Sequence, residues 1–190
     1  MRRAVLLASA LAALAAAAPP AGEPARALKT LEEILGSKND NDPRLDRDFN
    51  ELSPEARSLF RKKYRELPAE KRNQRGTIVY LLGRNLRARE DWEFFRGVAL
   101  EPPCLSLSDC SRKPAPGSDE EAAGDEVTLA YPALVALRQA RRAAEEARSV
   151  RIAAKNASAT ATEKEALGLF AAAAKSRTRA VARAAVSYEN

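Results

Sequence analysis

Proline placement constrains this chain more than any other feature of its sequence. Pro54 follows Ser53, Pro68 follows Leu67 and Pro132 follows Tyr131. Each sits where a helix starts, the one place in a helix where the missing N–H and fixed φ cost nothing. Pro102, Pro103, Pro114 and Pro116, with Gly117 and Gly124, fall instead within one stretch and bar regular structure from it. The chain is thereby cut into a first helical region, residues 22–100, a Pro/Gly/acidic linker with a cysteine pair, residues 101–126, and an Ala-rich helical hairpin, residues 127–190, expected to pack on the first region.

Apolar spacing fills in the helices. Leu28, Leu31, Ile34 and Leu35 lie on one face of a helix over 26–35, with Gly36 as its C-cap. The acidic segment that follows contains Pro43 and allows a helical turn from Arg44. Ser53 is an N-cap, with Pro54 at the first helical position and Glu55 in the first turn. Leu59, Phe60 and Tyr64 are core positions of this helix. A second helix is expected over 69–86, with Ile78 and Leu82 in the core. A third starts near Arg89, with Trp92 and Phe95 inward. Two Ala-rich helices, over 128–150 and 161–188, close the chain. Leu134, Val135 and Leu137 anchor the first, and Leu167, Phe170, Ala174 and Val181 the second. The expected fold is all-α: HEAT-like antiparallel helix pairs, or an irregular helical bundle, with a long disulfide-pinned loop.

The N-terminus sets the compartment. Arg2 and Arg3 precede an apolar run from Ala4 to Leu14, then Ala15 to Ala18 and Pro19. This is the order of a secretory signal peptide over residues 1–21, cleaved after Ala17 or Ala21. No later apolar run approaches membrane-spanning length. The protein is expected to be exported, to a periplasm or beyond. The whole chain carries 32 Lys and Arg against 26 Asp and Glu, too mild an excess to demand a polyanionic partner.

Histidine is absent, which excludes Ser-His and Cys-His nucleophile pairs and His-containing metal sites. Two cysteines cannot build a four-cysteine site. No catalytic or metal-ligating residue is assigned, and no cofactor is expected. A carboxylate pair or a Lys base could still catalyse.

The stretch from Arg75 to Glu101 resembles a HEAT-type helical repeat. Leu81, Leu82 and Gly83 stand in the first three places of the family's A-L-G-x-L run, and Leu86 comes one residue late for the last. Arg87 to Asp91 then match the polar turn, and Trp92, Phe95 and Val98 the outer helix. Asp42-Pro43-Arg44 resembles the turn between repeats. The resemblance, over about residues 53–101, implies a binding scaffold and brings no catalytic residues.

Three groups are candidate sites. Cys104 and Cys110, six apart in one loop of an exported chain, are expected to be bonded; closing so short a loop restricts the unfolded chain by roughly 2–3 kcal/mol. Asp40, Asp42, Asp46, Asp48, Asn50 and Glu51 cluster as in a calcium loop but miss its pattern, and read as a solvated acidic turn pairing with arginines. From Arg57 to Arg89 eleven basic residues face only Glu66 and Glu70. Arg57, Arg61, Lys62, Arg65, Lys71, Arg72 and Arg75 form its candidate binding face. It is either a docking face for an acidic protein or anionic envelope component, or a solvated surface paired with the flanking acidic segments. No nucleic acid is expected, because no recognition module or interleaved aromatic platform accompanies the charge. The function expected is that of an exported, non-enzymatic α-helical interaction protein; the alternative is a hydrolase or lyase of envelope polymers using a carboxylate pair.

Overall fold

Every regular element is a helix among the residues that the structure, a computed structural model, describes: 22–117, 126–155 and 158–187. Residues 1–21, read above as a signal peptide, lie outside them, as do Asp119, Glu120, Glu121 and Asp125. The helices are α1 (Glu23–Ser37), α2 (Arg44–Arg47), α3 (Pro54–Glu66), α4 (Arg72–Gly83), α5 (Arg89–Ala99), α6 (Glu126–Leu129), α7 (Tyr131–Ala153), α8 (Ala161–Ala173) and α9 (Arg179–Val186).

Local chemistry explains most boundaries. The Ser53 hydroxyl accepts the Ala56 N–H at 3.2 Å, and Pro54 opens α3 behind it. Thr160 and Glu163 form a reciprocal cap at the start of α8: each side chain accepts the other's backbone N–H. Four expectations need correction. Gly36 does not end α1; the helix runs through it, and Lys38 takes the left-handed conformation, φ 53°. Pro68–Lys71 is a turn, so α4 starts at Arg72. An unbroken helix through Thr128 is barred because Pro132 has no N–H to give its carbonyl, and α7 begins afresh at Tyr131. The last Ala-rich helix is split into α8 and α9 with no Gly or Pro between them. The split turns α9 back against α7 and α8 and buries Ala180, Val181 and Ala185. Burial here overrides propensity.

The helices enclose one apolar cluster, to which α1 through α9 contribute except the one-turn α6. Phe60, Tyr64, Ile78, Leu82, Trp92 and Phe95 are buried in it. Leu59 is not: it is half-buried at the helix flank, and the inward places of its turn belong to Ala56 and Phe60. Leu167 is exposed, with Ala166, Leu169, Phe170 and Ala173 taking the inner face of α8.

Helix α7 runs through the middle. It packs on α4, α5, α8 and α9 through Ala133, Ala136, Ala140 and Ala144, all buried. Small residues let the axes approach closely, and Gly83 of α4 shows how closely. A Cβ at Gly83 would collide with Cβ and Cγ of Gln139 on α7, itself 4% exposed. Gly83→Ala is therefore expected to lose about 1–3 kcal/mol by overpacking, despite the roughly 1 kcal/mol that alanine adds in a helix. Gly76→Ala meets only the ring edge of the half-exposed Tyr131, which can swing outward, so its melting temperature should stay within a few degrees of the parent's. Thermal melts followed by circular dichroism distinguish the two.

Candidate functional site: a basic edge and the cystine-loop cleft

The basic segment folds into two kinds of arginine. One kind is structural. Asp91, 2% exposed, sits at the start of α5 and accepts the N–H groups of Arg87 and Ala88. Its other oxygen lies 2.5 Å from Arg61 Nη1 and 3.6 Å from Arg57 Nε. Arg57, 6% exposed, also donates to the Asn85 carbonyl. One carboxylate thus ties α3 to α5 through two guanidinium groups. Arg75 reaches Glu101 at 2.9 Å and stacks on the Tyr64 ring, 4.1 Å from its centroid. Burial, and then the charge of Glu101, push the Tyr64 hydroxyl up, so it stays protonated and donates to Glu101 at 2.9 Å. Arg72 donates to the carbonyls of Ser106 and Leu107.

The other kind is free for a partner. Arg65 and Lys71 are exposed, and Lys62 is exposed with Glu66 3.8 Å away. The expected face therefore does not hold as one surface: Arg57 is buried, and Arg61, Arg72 and Arg75 are engaged inside the protein. Their carboxylate partners are Asp91 and Glu101, not the acidic turn. That turn is occupied elsewhere: Asp42 pairs with Arg44, Asp48 with Arg47, and Asp46 with Arg84, which also reaches Asn50.

Cys104 and Cys110 are bonded to each other. Their loop is packed, not loose. Cys104 N–H donates to the Leu129 carbonyl and Leu105 N–H to the Cys110 carbonyl. Cys110 N–H donates to Glu70, a bond that holds the Glu70 carboxyl below its ordinary range. Between this loop, the α3–α4 turn and the start of α7 lies a cavity of about 500 Å³. Val98, Pro102, Leu129 and Pro132 supply apolar wall; Glu70, Arg72, Arg75 and Glu101 supply charge that balances. Glu101 and Glu70 had no motif to announce them. Their role follows from what folds onto them.

Carboxylates elsewhere follow the same rule. Asp42, Asp48, Asp109 and Glu163 are held below their ordinary range chiefly by bonds from Arg44, Arg47, Ser111 and the Thr160 N–H. A proton-donating carboxyl needs a shift in the opposite direction. No helix among the described residues is long and apolar enough to cross a membrane. No protein-family model, curated protein or solved structure matches the chain.

Proposed function

We propose that this chain is an exported, non-enzymatic α-helical binding protein whose basic edge docks an anionic protein or envelope surface. The observation that carries the reading is the exposed edge of Lys62, Arg65 and Lys71: Glu66 faces Lys62, and Arg65 and Lys71 form no ion pair among the described residues. Exposed charge of one sign steers an oppositely charged partner and is screened over about 8–10 Å at physiological ionic strength. The packed cystine loop and the order of the first 21 residues support export. The HEAT-type resemblance supports a scaffold.

The test reverses only side chains that the fold does not use. Lys62→Glu, Arg65→Glu and Lys71→Glu combined should abolish salt-sensitive capture of a partner from envelope extract, with helicity and melting temperature unchanged. Capture that survives the triple variant would place docking elsewhere.

A further inference from the structure

The cystine loop gives its two sulfurs opposite surroundings. Cys110 is partly exposed, and Arg72 Nη1 points at its Sγ from 3.9 Å. Cys104 is 8% exposed, and its Sγ lies 3.7 Å from the Ala69 carbonyl oxygen. Both cysteines line the cleft of about 500 Å³ described above. We propose that they form a redox-active pair, which takes two electrons from a dithiol peptide seated in that cleft, with Cys110 as the sulfur that meets the peptide.

The surroundings of the sulfurs argue first. A guanidinium favours a thiolate over a thiol. A carbonyl oxygen only accepts, so it favours a thiol, whose S–H it takes. On reduction Cys110 therefore holds the charge and Cys104 the proton. Arg72 forms no salt bridge among the described residues; its remaining bonds go to the carbonyls of Ser106 and Leu107. Of the neighbouring carboxylates, Glu70 accepts the Cys110 N–H at 3.0 Å, and Asp109 accepts the N–H and hydroxyl of Ser111. A disulfide whose reduced form is stabilised in this way is a good oxidant.

The loop argues second, because its shape does not rest on the S–S bond alone. Cys104 N–H donates to the Leu129 carbonyl and Leu105 N–H to the Cys110 carbonyl. The Ser106 hydroxyl donates to the Asp109 carbonyl and accepts the Asp109 N–H. With the bonds from Arg72 and to Glu70, these contacts keep both sulfurs in place when the bond between them is cut.

The chemistry is an exchange of one disulfide for one dithiol. A peptide thiol gives its proton to water, and its thiolate attacks Cys110 Sγ. The Cys104–Cys110 bond breaks, and Cys104 leaves with the electron pair and takes a proton from water. The second peptide thiol, also deprotonated by water, attacks the peptide sulfur of the mixed disulfide and expels Cys110 as a thiolate beside Arg72. The peptide gains a disulfide and loses two electrons, and the chain gains them. Val98, Pro102, Leu129 and Pro132 offer apolar contact to residues flanking the peptide's cysteines. The exchange is independent of the basic edge.

The test uses the full chain, whose only cysteines are these two. In mixtures of reduced and oxidised glutathione the pair should open, as counted by alkylation and mass spectrometry. A pair still closed in reduced glutathione alone would overturn the proposal, because structural disulfides resist that reductant. In the reduced chain, limiting iodoacetamide should label Cys110 about tenfold faster than Cys104. Arg72→Gln should erase this preference, and Arg72→Lys, which keeps the charge, should preserve it. Equal labelling in the parent, a preference indifferent to Arg72→Gln, or one lost equally in Arg72→Lys would each contradict the role given to Arg72. Last, a reduced peptide with two cysteines, mixed with the oxidised chain, should become oxidised as chain thiols appear in equal number. No transfer to the chain would reduce the pair to a structural link and end the idea.

Discussion

Asp91→Ala is expected to cost about 3–5 kcal/mol, the range seen when one partner of a buried ion pair is removed. The loss has three parts. Arg57, 6% exposed, keeps its charge with no counter-charge beside it. Arg61 loses its 2.5 Å contact. The N–H groups of Arg87 and Ala88 lose the carboxylate that capped α5. Urea unfolding should show a much lower midpoint. Adding Arg57→Leu should recover part of the loss, because the stranded charge is then gone. An unaltered midpoint for Asp91→Ala would show that the arginine pair does not hold α3 to α5.

Asn85→Ala should cost about 3 kcal/mol, since it strands buried groups that each cost about 1–3 kcal/mol when unpaired. Asn85 is fully buried and uses its whole carboxamide. Its oxygen accepts the Leu52 N–H at 2.9 Å, and its nitrogen donates to the carbonyls of Phe49 and Leu81. It thereby bolts the 49–52 segment to the end of α4. Alanine leaves all three backbone groups unpaired. The urea midpoint should fall with the slope unchanged, the sign of lost stability in a cooperative unit. A midpoint equal to the parent's would contradict the network.

Elements with local causes were legible in the sequence. Ser53-Pro54 marked the start of α3, the spacing of Trp92 and Phe95 marked the inner face of α5, and the even pair of cysteines in one loop marked the disulfide. What was not legible depends on contacts distant along the chain. The charge run from Arg57 to Arg89 reads as a surface until Asp91 and Glu101 fold onto it, 30 residues from Arg61 and 26 from Arg75. Nothing in the spacing separates Arg61, engaged inside, from Arg65, exposed one turn later. Asn85 carries no motif; its burial decides its role. The break between α8 and α9 lacks a breaker residue and exists because α9 gains burial by turning back. The acidic turn pairs with arginines as its composition suggested, Asp42 with Arg44, Asp48 with Arg47 and Asp46 with Arg84; the basic face changed meaning, because several of its arginines bind the protein to itself.

The central position of α7 has a consequence for the order in which the molecule can be made. Residues 22–100 leave the ribosome first, yet the sides of α4 and α5 that α7 covers stay wet until residues 131–144 follow. The chain has no early stopping point at which its oil is fully sealed. It locks only when its second half arrives. If the chain is exported as proposed, through a narrow translocation pore before folding, late closure would keep it threadable until the passage is nearly done.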